Sequence, residues 1–242
     1  MMKGNPQSGP SLLANGRLAQ LADWNEDIAR QLASRDGIEL TDDHWQVINT
    51  MRDYYQEYGV SPVKKLLKRS LQRSTGSGRF DDLLLDSLFP DGVLSQGSKI
   101  AGIPLPYLDV ELEKSTYTGK PAKQDVSHFT DSFEFDGKNF PVTQTGHLLN
   151  HASWNEKVAG FMADKEGIAL GDEHWEVLNF LRHFYFEFGI APMVKILIKH
   201  MAEELGPDRA SKERLYTLFP EGPARQGSRI AGLPEPQGCI DA

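Results

Sequence analysis

Residues 153–197, SWNEKVAGFMADKEGIALGDEHWEVLNFLRHFYFEFGIAPMVKIL, lie without a gap over residues 23–67, DWNEDIARQLASRDGIELTDDHWQVINTMRDYYQEYGVSPVKKLL. The same offset of 130 places LFPDGVLSQGSKIAGIPLP (88–106) over LFPEGPARQGSRIAGLPEP (218–236). From Gly16 to Val110 about four in ten residues are identical to their partners. Self-similarity at one fixed spacing is the mark of a repeated unit. Each copy is near the size of a small domain, so two units of one fold are expected, at 15–110 and 131–242, joined by a linker at 111–130.

That linker, with ELEKSTYTGKPAKQDVSHFTD around it, is polar and rich in Gly, Pro, Ser, Thr and Lys. SFEFDGKNFPVTQTG then alternates apolar and polar residues about Asp136-Gly137, the pattern of a β-hairpin. Before Gly16 the first copy offers only GNPQSGPSLLAN, and it therefore reads as a trimmed copy without those strands.

Within each copy the spacing predicts four helices. The first covers Trp24–Ala33 and Trp154–Ala163 and ends near Gly37 and Gly167. Thr41 is a candidate N-cap for the second, with Asp42 and Asp43 suited to the helix dipole; Gly171, Asp172 and Glu173 stand there in the second copy. This helix carries an aromatic stripe, read as core, and stops at Gly59 or Gly189. Pro62 and Pro192 are expected in the first turn of the third helix, and a fourth covers about 81–88 and 212–218.

Composition bounds the function. A chain of 242 residues with 39% apolar content can bury one large core or two small ones. No leader-like or membrane-length apolar run is seen, and with a single cysteine a reducing, cytoplasmic setting is expected, without disulfide or multi-cysteine zinc site. The net charge of −8 speaks against nonspecific nucleic-acid binding. Helix, glycine turn and proline-led helix do resemble a helix-turn-helix, with Lys64, Lys65, Lys68, Arg69 and Arg73 on one face. The second copy has Val194, Ile198 and Glu203 at three of those places and keeps Lys195, Lys199 and His200, so a solvated or protein-docking face is the favoured reading. The seven histidines are scattered; His44 and His174, at helix starts, suit capping or surface roles. No phosphate loop, nucleophile elbow or dinucleotide fingerprint is found, Gly227 and Gly232 being read as opening onto coil, and no cofactor is expected.

Cys239 remains. The segment before it, GLPEPQGC, holds two prolines and two glycines and can neither continue a helix nor fill a strand ladder. An extended, mobile arm is expected, its thiol suited to entering another protein's active site and carrying a group away. Asp241 opposes ionisation of that thiol while Arg229 favours it, so activation is expected to come largely from a docked partner.

The run from Trp154 to Met201, followed by LYTLFPEGPARQGSRIAGLPEPQGC and preceded by FDGKNFPVTQTGHL, resembles the DsrC/TusE sulfur-relay family over about Ser132–Ile240. The resemblance implies a mainly α (α+β) fold: two tandem small helical DsrC-like domains, the second with a β-hairpin and a C-terminal arm. It implies that Cys239 takes sulfur as a persulfide from an upstream sulfur-transfer protein and passes it on. Ser228 stands where the sulfite-reductase branch has a second cysteine, which tilts the implied acceptor toward a tRNA-thiolating enzyme making 2-thiouridine. Partnership with dissimilatory sulfite reductase, or a regulatory or scaffold role without relay, are the alternatives. Lys195 stands where many members carry an arginine that faces an anion or holds the arm, and Ile240, Asp241 and Ala242 extend past the usual family end. The first copy has Ser98 and Asp109 at the two cysteine positions and carries no sulfur on this reading.

Overall fold

The computed structural model describes residues 10–106 and 131–236, which fall in two compact units, Met1–Tyr107 and Leu108–Ala242. The fold is mainly α with a small β element. Unit 1 consists of α1 (Glu26–Arg35), α2 (Asp42–Tyr58), α3 (Lys64–Thr75), α4 (Asp82–Leu88), a π-type turn (Val93–Gly97) and α5 (Ser98–Ile100). Unit 2 adds the hairpin β1 (Asp131–Phe135) and β2 (Lys138–Val142), then α6 (Glu156–Lys165), α7 (Asp172–Phe188), α8 (Val194–Leu205), α9 (Lys212–Leu218) and α10 (Arg225–Ile230).

α1, α2, α4, α6, α7 and α9 each begin where a side chain meets a main-chain N–H. Asn25 caps α1 by accepting from Ile28 N, and Asn155 caps α6 by accepting from Lys157 and Val158 N. Trp24 and Trp154 therefore precede these helices, which begin two positions later than the periodicity suggests. At α2 and α7 the third helical residue is a histidine whose Nδ1 accepts the N–H of Thr41 or Gly171, each at 3.2 Å. The Nε2 of His44 and of His174 donates to Leu88 O and Leu218 O, at 2.9 and 3.2 Å. The expected capping role holds for His44, but in a buried rather than surface setting. One ring thus ties the start of the longest helix to the end of the short one.

Pro62 and Pro192 do not lie in a first turn. Val63 and Met193 are the N-caps of α3 and α8, so each proline stands one residue outside. Its restriction keeps the entering chain extended instead of relieving an unpaired N–H. The aromatic stripe of α7 is core, with Phe184 and Tyr185 fully buried; in α2 buried Tyr54 takes the place of Phe184 and half-buried Tyr55 that of Tyr185.

The strands pair antiparallel, Phe133 opposite Phe140, through a two-residue turn at Asp136 (φ 51°) and Gly137 (φ 70°). Positive φ at both turn positions matches the strands' own twist. Phe133 and Phe140 stack at 5.1 Å, and Phe161 of α6 meets Phe133 and Phe135 at 5.2 and 4.6 Å. Unit 1, which has no hairpin among the described residues, places exposed Gln31 where unit 2 has Phe161. It keeps only the closing bridge, Leu12 to Leu18, equivalent to Val142 to Leu148.

Candidate functional site

Residues 225–236 lead to Cys239, which itself, with Asp109 of the first copy, lies outside the described residues. α10, a short helix not expected from the sequence, opens this stretch and contains Gly227, packed so closely on α7 that a Cβ would come within 2.8 Å of Leu181. Gly227 is thus helical and buried, not in coil, because six residues are too few to display a period.

A helix leaves its last carbonyls unpaired. Here the last of them, Ile230 O, and the three carbonyls that follow it outside the helix are each met by a side chain from elsewhere. Trp154 Nε1 donates to Ile230 O at 2.8 Å, Arg182 Nη1 to Ala231 O at 2.7 Å, His151 Nδ1 to Gly232 O at 2.9 Å and His147 Nδ1 to Leu233 O at 2.8 Å. Since a carbonyl only accepts, both histidines carry their proton on Nδ1. The Arg182 guanidinium also lies 3.7 Å from the Trp154 ring centroid, and burial lowers its pKa. Gly232 (φ 66°) crosses directly under that indole; a Cβ there would collide with the Trp154 ring.

Unit 1 repeats much of this latch. Trp24 donates to Ile100 O at 2.8 Å and Arg52 to Ala101 O at 2.7 Å. Leu21 stands in place of His151, and Arg17 in place of His147, donating to Ile103 O at 3.0 Å.

Beside the latch lies a charged cluster. Arg229 holds Glu166 with two bonds, Nε to Oε1 at 2.6 Å and Nη2 to Oε2 at 2.7 Å, and reaches Glu221 at 2.9 Å and Thr145 O at 3.2 Å. Hydrogen bonding to Glu166 raises the Arg229 pKa despite burial. Its charge is therefore met by carboxylates of its own unit. Ser228 is fully buried in α10, next to Arg229. Lys195 is exposed at the start of α8. Arg229 and Ser228 thus belong to the site around residues 225–236; the described contacts do not bring Lys195 to them.

His147 is the least solvated ionisable group here. Burial lowers its pKa, opposed by its bond to Leu233 and by Glu235, while the Arg229 charge lowers it further. Burial thus favours the neutral imidazole over the charged one. Glu235 is held by Thr145 Oγ1 at 3.2 Å and by Arg225 Nε at 3.5 Å. Sequence reading missed Trp154, Arg182, His147, His151 and Glu166. For Trp154 and Arg182 a signal existed, since both recur in the first copy as Trp24 and Arg52.

The basic face of α3 is largely answered within its own unit. Lys64 pairs with Asp82 and Asp86, and Lys68 with Asp82, all at 3.1–3.2 Å. Desolvation opposes the Lys64 charge, but the hydrogen bonds it donates to Asp86 and Asp82 outweigh it and raise its pKa. Among the described residues no group of three or more metal-ligating side chains occurs, and no helix is long and apolar enough to cross a membrane.

A family model described as "DsrC like protein" matches twice, over residues 9–108 and 134–240. The chain is similar to Sulfurtransferase TusE of Pectobacterium atrosepticum, 44% identical over 107 residues, covering 44% of this chain and 98% of that protein. TusE of Escherichia coli O6:H1 is 45% identical over 106 residues, covering 44% and 97%. Among solved structures, Allochromatium vinosum DsrC matches with 45% identity and a TM-score of 0.42, covering 46% of this chain and 98% of that one. The oxidized gamma-subunit of the dissimilatory sulfite reductase (DsrC) from Archaeoglobus fulgidus matches with 37% identity and a TM-score of 0.41, covering 46% and 100%.

Proposed function

The chain belongs to the DsrC-like family, matched in both halves, and from that premise we propose that it is a sulfur-relay protein whose carrier atom is the Cys239 sulfur. The Cys239 thiolate attacks the outer sulfur of a donor protein's persulfide. A new S–S bond forms at Cys239, the donor's S–S bond breaks, and the donor cysteine leaves as thiolate. The reverse chemistry at an acceptor thiol releases the cargo.

The observation that carries this reading is the latch before the cysteine. Four bound carbonyls fix the direction in which the chain leaves Leu233, and three residue lengths hold the Cys239 Cα within about 11 Å of that of Pro236. A carrier needs a short reach from a fixed root, because the orientation then supplied to a partner is not repurchased at each encounter. Since Arg229 is neutralised by Glu166 and Glu221, lowering of the thiol pKa is assigned to positive groups of the docked donor.

The direction of relay follows from Ser228 and from the relatives named TusE. A serine cannot release sulfur by forming an internal disulfide, so the cargo goes to a second protein, and a tRNA-thiolating acceptor is the reading favoured. Residues 15–110 are assigned as a cysteine-free unit that docks or stabilises, 111–130 as a linker and 131–242 as the carrier. Incubation with a persulfidated donor, followed by intact-mass measurement, is expected to add one sulfur atom per chain to the wild type and none to Cys239→Ser. Sulfur on the variant, or none on the wild type, overturns the relay.

A further inference from the structure

Thr145, Arg225 and Glu235 of the second copy stand where the first has Asn15, Ser95 and Leu105. In unit 2 the three meet. Glu235 Oε2 accepts from Thr145 Oγ1 at 3.2 Å, and Arg225 Nε lies 3.5 Å from Glu235 Oε1. Thr145 belongs to the turn after β2 and Arg225 opens α10, so the carboxylate is gripped from two elements, two residues beyond the last latched carbonyl. Its charge also acts on His147, the donor to Leu233 O. In unit 1 Leu105 is exposed, and its side chain has no polar atom to be held.

The first copy fastens its chain one residue earlier and by another bond. Buried Ser61 donates from Oγ to Pro104 O at 2.5 Å. Ala191 stands in the place of Ser61 in unit 2 and has no hydroxyl to give. A peg in the main chain is thus exchanged for a grip on a side chain. The two differ in permanence: Ser61 is 8% exposed, whereas Arg225 and Glu235 are 41% and 39% exposed, and an ion pair open to water is screened by salt and readily opened. The copy with aspartate at the carrier position has the permanent bond, and the copy with Cys239 has the releasable one.

We infer that Glu235 is a positioning residue for Cys239: held by Arg225 and Thr145 it shortens the free part of the chain before the cysteine, and let go it lengthens that part. Held, the fixed root ends at Glu235, and four residue lengths, about 14 Å, remain to Cys239. Released, the root ends at Leu233, and six lengths, about 21 Å, remain. The shorter tether raises the effective concentration of the sulfur before a docked donor by about 2- to 3-fold; the longer one reaches further. That consequence for sulfur rests on the relay reading, whereas the grip and the two lengths do not.

The test uses the full chain. Pro234 and Pro236 have no N–H, so the amide of residue 235 alone reports this stretch. Its ¹⁵N order parameter is expected near about 0.85 in the wild type and below about 0.6 in Arg225→Ala and in the wild type at about 1 M salt. The charge swap, Arg225→Glu with Glu235→Arg, is expected to restore it. A nitroxide on Cys239, the single cysteine, is expected to broaden amides over a wider area of the unit in Arg225→Ala than in the wild type. An order parameter that stays high in Arg225→Ala or at high salt, one already low in the wild type, or an unchanged area of broadening overturns the inference. For the carrier, Arg225→Ala is expected to lower kcat for loading from a persulfidated donor protein by about 2- to 3-fold with KM unchanged, and the swap to recover it. Equal kcat overturns the positioning role. Should wild-type Cys239 fail to load, the relay reading falls, and the relaxation and nitroxide measurements still decide the grip.

Discussion

Arg182 does two things with one side chain, donating to Ala231 O and covering the Trp154 ring. Arg182→Ala leaves that carbonyl and the indole face unmet, and about 2–3 kcal/mol of unfolding free energy is expected to be lost in denaturant titration. Arg182→Lys recovers little of it, since an ammonium cannot lie flat on the indole while bonding the carbonyl. His147 supplies a pH dependence. Its folded pKa lies below the ordinary value of about 6.5, so the unfolded chain takes up a proton first on acidification. The stability it contributes is present above about pH 6.5 and is lost as pH falls toward the lowered folded value. His147→Gln is expected to flatten the stability profile across that window, read as denaturation midpoints at a series of pH values; an unchanged slope would contradict it. Little of this was legible beforehand. Trp154 and Ile230 are 76 residues apart, and a bond from an indole to a main-chain oxygen leaves no trace in spacing or composition.

At the scale of elements, the long helices were legible because period, cap and stop agree at each of them. α2 has Thr41 before it, acids in its first turn and Gly59 after it, and its position repeats in α7. What escaped were the start of α1, set by the local Asn25 cap, and α10, where tertiary contact decides because Gly227 lets the helix press against Leu181. The hairpin was plain from Asp136-Gly137, but its support was not. Phe161 joins both β1 phenylalanines, so Phe161→Ala is expected to destabilise unit 2 by about 3 kcal/mol, whereas Gln31→Ala at the matching exposed position changes stability by no more than about 0.5 kcal/mol. The α3 face separates charge from function. Its Lys64 and Lys68 pairs with α4 are half open to solvent and screened, so replacing both lysines by alanine is expected to shift stability by less than about 1 kcal/mol. A fluorescence-anisotropy titration with duplex DNA at moderate salt is expected to show no binding that depends on them.

The whole molecule is one fold used twice with unequal chemistry. The run from Trp154 to Met201 and the ending GLPEPQGC made the family legible from residues alone, and with it the mainly α architecture. The repeat left hidden how the copies differ around the arm root, because Arg17 against His147 is one mismatch among many in the alignment and acquires meaning only through the atoms each reaches. With Asp109 where unit 2 has Cys239, loading is expected to saturate at one sulfur per chain and not two, even with donor in large excess; a second sulfur would show a carrier atom elsewhere. The paired latches have an optical consequence. Trp24 and Trp154 each lie beneath a guanidinium, at 3.5 and 3.7 Å, with the indole N–H bound to a peptide oxygen. Emission from Trp154 should therefore change colour and brightness when a docking protein loosens the strand's anchorage, while Trp24 glows on as an internal standard. The molecule can report its own engagement without any dye.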